Sequence, residues 1–472
     1  MRLLVCLGCM IALSAADPPA AGQEAPPHDA VIEALVGDAS AVPPEFAADA
    51  LIRLSSSPRV PTAWRRELLD EAFFRAYGAQ EQYRRMSGQP LSPDTRQGAN
   101  LLAYSTSLTR VSLQVRATQL MTFVDPRRAR ELFEWIELNL GTDVCDDPLV
   151  PDVEEYYTVL SLIARTTFGN DRGAALLFLE LYLWRAHLPS EMPAVARAME
   201  RFRPREDEAI YLEGFFRFLL DAGTTDARGF SSSSADMVSR MAELQMAHRA
   251  LGIGDWFVMD TLRGYLVSQL KGPRCSDSSV ESTTPSLFNA ALNRLRAALD
   301  VKALDADAVL PTTLQGRARV DPYWQTQDAA SLHDAAALLW GPGKVPVPLR
   351  VRQTTEWRNQ AERLLVQLDQ WAGRREASDR DYFYQKAVLF ELLLDLVPPG
   401  SLRARVIRTY VDFLRLSDVD RDRRTLWFAF VTRLIEMSRS ADRRDILTAL
   451  EDTHQPVLSL YARMERLLSA PR

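Results

Sequence analysis

The sequence predicts an all-α fold: an irregular array of antiparallel helix hairpins, solenoid-like or an α/α superhelix in style, with essentially no β-sheet. Apolar residues recur at helical spacing along most of the chain. Short connections rich in Pro, Gly, Ser or Asp separate these stretches, and capping residues mark their ends. Because short connections make consecutive helices antiparallel neighbours, the helix hairpin is the predicted unit.

The predicted helices carry their start and stop signals in order along the chain. One runs from Asp125 to Gly141, with Asp125 as N-cap and Pro126 in the first helical position. A second opens at Pro285, and a third is the apolar stripe from Trp357 to Trp371. Denser stripes follow at Leu402 to Leu414, Leu426 to Leu434 and Leu460 to Leu467. We count about seventeen helical segments by this periodicity.

The spacing of the helices is irregular. The distance between successive helix starts varies, so the array is TPR-like or HEAT-like in style only. One run, from Val345 to Val351, alternates like a β-strand. It contains Pro346 and Pro348, whose missing N–H groups exclude a central strand, so we expect an extended connector there.

The beginning of the chain has the order of a secretory signal. Arg2 precedes an apolar stretch and a small-residue cleavage site that ends at Ala16. We therefore predict a signal peptide at 1–16 and a flexible, Pro/Ala-rich lead-in at 17–27. The apolar stretch is too short to span a bilayer, and the part before Cys9 is too short for lipoprotein processing. The expected location is the periplasm or the extracellular space, without a lipid anchor or a transmembrane span.

The remaining chain is predicted to form three helical parts. Weak breaks in the helical pattern lie at Lys271 to Thr284 and at Gly341 to Gln353. They divide an N-terminal array at 28–271 from a segment at 272–353 and from a C-terminal array at 354–472. A domain seam is expected in one of the two loops that flank the middle segment.

Composition narrows the classes of partner. Hydrophobic residues at 47% and charged residues at 25% are ordinary for a globular protein. The formal net charge of −6 indicates no broad basic face, so nucleic acid is not an expected partner. Another protein of the cell envelope is the expected partner.

Two cysteines remain if Cys6 and Cys9 leave with the signal peptide. Cys145 and Cys275 both lie in loop-like sequence, in a compartment where disulfides persist. We predict a bond between them, which would stabilise the fold by roughly 4 to 5 kcal/mol in the chain-entropy model. Two unpaired, buried thiols are the alternative.

Three short motifs imitate functional sites without the residues that the chemistry needs. Ser268 and Lys271 have the spacing of an S-x-x-K nucleophile motif, but the pair closes a predicted helix. The run from Asp418 to Asp422 begins like an EF-hand loop, yet Arg423 replaces the required glycine. The segment from Gly341 to Lys344 lacks the first glycine and the Ser/Thr of a phosphate loop. We predict no catalytic, metal-binding or cofactor-binding residues and no cofactor.

Histidines and loop aromatics give two weaker signals. No two of the five histidines are one helical turn apart, so sequence neighbours supply no metal site. His333 beside Asp334 predicts a surface pair on a helix. Tyr323 and Trp324 lie in a Pro-containing loop, where they either present aromatic surface to a sugar or peptide or pack down onto the array.

These observations favour a non-catalytic, exported helical scaffold that binds a protein of the cell envelope. One alternative is an α/α-toroid enzyme that acts on a polysaccharide or cell-wall polymer. A toroid would close and gather carboxylates and aromatic residues in one central cleft, whereas a scaffold would leave an open, curved surface. Two carboxyl groups in the cleft, roughly 5 to 9.5 Å apart, would favour a glycosidase. The other alternative, a structural envelope protein without a dedicated ligand, predicts no large exposed apolar patch.

Overall fold

A computed structural model describes residues 29–79, 84–86, 96–138, 149–151, 153–183, 185–186, 191–202, 237–238, 255–271, 278–294, 300–305, 327–340, 346–372, 379–417, 424–437 and 442–469. Nineteen α-helices account for most of these residues. The all-α prediction is confirmed. None of the described helices combines the length and the apolar character that crossing a membrane requires.

The helices follow one another closely in the described ranges. The first nine are α1 Ala30–Ala39, α2 Pro44–Ser55, α3 Thr62–Arg75, α4 Arg96–Tyr104, α5 Arg110–Met121, α6 Pro126–Glu134, α7 Glu154–Thr166, α8 Arg172–Leu183 and α9 Met192–Phe202. The next ten are α10 Asp255–Lys271, α11 Ser278–Arg294, α12 Gln327–Ala337, α13 Leu349–Arg352, α14 Thr355–Gln370, α15 Asp379–Leu396, α16 Ser401–Ser417, α17 Arg424–Met437, α18 Arg443–Asp452 and α19 Pro456–Leu468. A 3₁₀ turn, Ala76–Gly78, follows α3.

Many consecutive helices pack against each other, as the hairpin prediction expects. The pairs α1–α2, α2–α3, α5–α6, α7–α8, α15–α16 and α18–α19 are all in contact. The predicted apolar stripes face the core, as in α14, where Trp357, Leu364 and Leu368 are buried. Thr354 caps this helix, because its side chain accepts a hydrogen bond from the Trp357 backbone N–H.

In the ranges that the structure describes, extended structure is limited to small elements. Strands β1, Arg84–Met86, and β2, Leu149–Pro151, pair antiparallel, with Arg85 opposite Val150. The connector prediction for Val345 to Val351 is wrong at its end, where the one-turn helix α13 forms. Pro348 is the N-cap of α13, and its fixed backbone angle is compatible with the entry into a helix.

Two predicted helix ends were also wrong. Helix α6 stops at Glu134, before Gly141, because the Trp135 N–H bonds to the Leu132 carbonyl three residues back and tightens the last turn. Helix α11 begins at Ser278 and carries Pro285 in its interior. An interior proline costs about 3 kcal/mol, so the burial of apolar residues such as Phe288 outweighs the local preference.

The two ends of the described chain meet. Helices α1 and α2 pack against α19, and α4 packs against α17. The Phe46 ring lies 4.8 Å from the Phe428 ring and 5.9 Å from the Trp427 ring, measured between centroids. In a linear solenoid each repeat contacts only its neighbours. This closure does not fit such a solenoid, and the solenoid part of the prediction is not confirmed.

A buried ionic cluster joins the two ends. Asp49 of α2 pairs with Arg53 and with Arg116 of α5, each at 2.7 Å, and accepts a 2.7 Å hydrogen bond from the Tyr461 hydroxyl of α19. Burial alone would raise the pKa of Asp49, but the two arginines outweigh it and hold that pKa below its usual value. The carboxylate is therefore charged, and the cluster depends on all its members.

Candidate binding surface

Three large aromatic side chains are exposed next to one another where α3 and α6 end. We call Phe74, Tyr77 and Trp135 the aromatic patch. Their exposed fractions are 42%, 39% and 46%. Large aromatic side chains are mostly covered in folded proteins, so three neighbouring exposed rings are informative.

Local helical geometry brings two of the rings together. Phe73 is fully buried, and the next residue, Phe74, turns its ring outward. Tyr77 follows three residues later, so it lies on the same face as Phe74. The planes of these two rings are 18° apart and their centroids are 6.4 Å apart.

Glycine is required just after Tyr77. A Cβ atom on Gly78 would lie 2.7 Å from the Pro44 side chain, closer than real Cβ contacts allow. Since the proline ring is rigid, the close approach of this turn to α2 depends on the absence of a side chain at Gly78.

Trp135 joins the patch from α6. Its ring centroid lies 5.5 Å from that of Phe74, and its carbonyl accepts a 3.2 Å hydrogen bond from the Tyr77 hydroxyl. Helices α3 and α6 are also tied by ion pairs between Asp70 and Arg128 at 2.8 Å and between Arg66 and Asp125 at 3.2 Å. The patch is therefore built on two helices that are fixed to each other.

Two arginines cover parts of the aromatic patch. The guanidinium of Arg110 lies 4.3 Å from the Tyr77 ring centroid, and that of Arg128 lies 5.6 Å from the Trp135 ring. Arg128 also donates to Glu131 at 3.0 Å, and this hydrogen bond holds the pKa of Glu131 below its usual value. Tyr, Trp and Arg are the residues that dominate binding energy in protein interfaces. The surface is suited to binding.

A second group of interest is a buried carboxyl group. Glu391 of α15 pairs with Arg433 of α17 at 2.8 Å, and burial raises the pKa of Glu391 to about 7. Its Oε1 atom has no hydrogen-bond partner in the described structure, and the same is true of the buried hydroxyl of Tyr410. A raised pKa of this kind occurs in catalytic acids and in structural groups. Asp395, which also acts on Glu391, lies one turn along the same helix and not across a cleft.

The predicted site residues have different outcomes. Cys145, Cys275, Tyr323 and Trp324 lie outside the described residues, so the disulfide and the ligand-facing aromatics stay predictions. The Asp418 to Asp422 and Gly341 to Lys344 motifs lie outside them as well.

Two motifs fall in described helices. Ser268 and Lys271 lie in the last turn of α10, as the helix-end interpretation predicts. His333 and Asp334 form an exposed pair on α12, with 3.8 Å between Nδ1 and Oδ1. Over the described ranges, no group of three His, Cys, Asp or Glu side chains is placed to hold a metal ion.

Comparison with family models, with curated proteins and with solved structures finds no match. Function is therefore inferred from the surfaces themselves.

Proposed function

We propose that the protein is an exported, non-catalytic helical scaffold of the cell envelope that binds a partner protein through the aromatic patch. The main support for the proposal is the exposed aromatic patch. Export rests on the signal-peptide pattern that ends at Ala16.

The composition of the patch favours a protein partner. Truncating a hot-spot residue costs at least about 2 kcal/mol of binding energy, and such residues are typically Trp, Tyr and Arg at the centre of an interface. Phe74, Tyr77 and Trp135 supply the apolar centre, while Arg110 and Arg128 lie against their rings. Charged side chains such as Glu137, 83% exposed, supply the polar rim that interfaces carry.

The patch is also prepared for binding. The Tyr77 to Trp135 hydrogen bond and the Asp70 to Arg128 ion pair hold its parts in place before a partner arrives. Each rotamer-rich side chain that binding immobilises costs about 0.5–1.5 kcal/mol, so prior ordering strengthens association. A structural protein without a ligand has no need of this surface, and the patch counts against that alternative.

The test compares Trp135→Ala with a matched control, Phe123→Ala. Phe123 is 70% exposed on the turn before α6 and makes no ring contact with the patch in the described structure. Full-length wild type and both variants are used as bait in the native envelope fraction. A protein captured by wild type and by Phe123→Ala, but not by Trp135→Ala, is then purified and its Kd measured by calorimetry.

We expect Trp135→Ala to weaken that Kd by about thirtyfold or more, because such a loss corresponds to a hot-spot residue. Circular dichroism should show that all three proteins are equally folded. Equal capture and equal Kd for Trp135→Ala and Phe123→Ala would refute the proposed surface.

A further inference from the structure

The aromatic patch has a positive group at its edge that the chain pairs only weakly. The guanidinium of Arg110 lies 4.3 Å from the Tyr77 ring centroid, and the side chain is 33% exposed. Its Nε atom is buried and has no hydrogen-bond partner in the described structure. A guanidinium has five N–H donors in a fork that matches the two oxygens of a carboxylate. Arg110 therefore offers donors to a carboxylate directly beside the rings.

The other arginine of the patch is well paired by comparison. Arg128 donates to Asp70 at 2.8 Å and to Glu131 at 3.0 Å. For Arg110, the carboxylate of Glu137 is the one within 4 Å among the described residues, with 3.8 Å between Nη2 and Oε2. This distance is too long for a hydrogen bond, and the Glu137 side chain is 83% exposed, so the contact is weak. A carboxylate that comes closer can replace that of Glu137.

The position of Arg110 on its helix also favours a negative partner. Arg110 is the first residue of α5, directly after the N-cap Thr109, whose side chain accepts a hydrogen bond from the Ser112 N–H. The N-terminal end of a helix carries partial positive charge, so a cation there destabilises the helix and an anion stabilises it. The helix end and the guanidinium therefore both attract a carboxylate to this edge of the patch.

We propose that the aromatic patch binds a peptide segment of its partner in which an acidic residue lies next to an apolar one. The acidic side chain pairs with Arg110 and displaces Glu137, while the apolar side chain covers Tyr77 and Trp135. This inference rests on the proposed function, because it names the chemistry of the partner at the same surface. Complementary charge fixes the orientation of the segment, and Glu137 acts as an internal competitor that lowers its affinity.

The first test selects ligands from a phage library of random twelve-residue peptides on the immobilised full-length protein. On the wild type, we expect peptides in which Asp or Glu lies within two residues of an aromatic residue, Leu or Pro. On Arg110→Gln, the preference for Asp or Glu should be lost while the apolar preference stays. On Trp135→Ala, the enrichment should disappear altogether. Circular dichroism should show that both variants are folded.

The second test measures the Kd of the best selected peptide by fluorescence anisotropy. Glu137→Gln should bind it about two- to fivefold more tightly, because the competing carboxylate of an exposed pair has been removed. The matched control is Glu134→Gln, which removes the same charge from the exposed end of α6. Glu134 acts on Tyr182, so the control should leave the Kd unchanged. Arg110→Gln should weaken binding about tenfold or more, because the partner's carboxylate loses its charged donor.

The outcomes separate this inference from the proposed function. Apolar peptides without an acidic residue that still require Trp135 would overturn the acidic partner and leave the patch in place. Peptides that bind Trp135→Ala as well as the wild type would contradict the patch and this inference together. An unchanged Kd for Glu137→Gln, or no enriched peptide on the wild type, would also overturn the inference. Tighter binding of an oligomer of galacturonic acid than of the best peptide would replace the peptide by an acidic sugar.

Discussion

The buried carboxyl group of Glu391 should make the protein less stable as the pH rises. The side chain of Glu391 is only 8% exposed, and burial raises its pKa from the ordinary 4.5 to about 7. Between these two values the folded state binds a proton that the unfolded state has released. The stabilisation that this proton provides is therefore fully present below the unfolded-state pKa of 4.5. It is lost as the pH rises through the folded-state pKa of about 7.

The size of the effect follows from the two pKa values. Integrated between pH 5 and pH 8, a shift from 4.5 to about 7 corresponds to about 2.5 kcal/mol of lost unfolding free energy. Arg433 opposes the shift and Asp395 adds to it, so the ion pair with Arg433 does not fully compensate the burial. The expected change is large compared with a total stability of about 5–15 kcal/mol.

The assay is urea unfolding followed by circular dichroism at pH 5, 6, 7 and 8. Glu391→Gln keeps the shape of the side chain but removes its titration, so its stability should lack this part of the pH dependence. The matched control is Glu362→Gln, since Glu362 is half-exposed and pairs with Arg405 on the surface. Wild type and Glu391→Gln curves that run parallel from pH 5 to pH 8 would refute the reasoning.

Two further predictions concern the junction of the chain ends and the base of the patch. Tyr461→Phe should lower the free energy of unfolding by about 1.5–3 kcal/mol, because it removes a hydrogen bond to the charged Asp49. An unchanged Tm in thermal unfolding would contradict this prediction. Gly78→Ala should weaken partner capture by the aromatic patch, because the Cβ atom of the new alanine would push the turn away from Pro44. Capture equal to that of the wild type would show that the turn tolerates a side chain.

Much of the fold could be predicted because helix signals are local. Asp125 accepts a hydrogen bond from the Arg128 N–H, and Thr354 accepts one from the Trp357 N–H, as N-caps should. In the predicted stripe of α14, Trp357, Leu364 and Leu368 are buried, while Trp371 is half-buried just after the helix ends. Such signals need only neighbouring residues, so one sequence is enough to read them.

The errors at helix ends have tertiary causes. Ile136 continues the apolar period of α6 and is buried, but it packs from a turn after the helix has ended. Periodicity reports which side chains are covered, and it does not distinguish the last turn of a helix from the turn that follows. At Pro285 the local signal for a helix start was misleading in the same way, because the helix already begins at Ser278 and its apolar face is covered.

The aromatic patch could not be predicted for a related reason. Phe73 and Phe74 are adjacent and chemically identical, and only the position of the neighbouring helices decides which of them is buried. The Tyr77 to Trp135 contact joins residues 58 positions apart, and the Tyr461 to Asp49 contact joins residues 412 positions apart. An apolar pattern in the sequence shows that one face of a helix will be buried, but it does not show which other helix will cover that face.

The closure of the chain ends also bears on the aromatic patch. Helix α2 packs against α3, which carries Phe74, and also against α19. The Asp49 carboxylate ties α2 to α5 through the Arg116 ion pair and to α19 through the hydrogen bond from the Tyr461 hydroxyl. Losing either contact leaves a buried charge with fewer partners, so each contact stabilises the junction. The aromatic patch therefore lies on helices whose packing continues to the other end of the described chain, and a partner bound at the patch meets a surface that this packing holds in place.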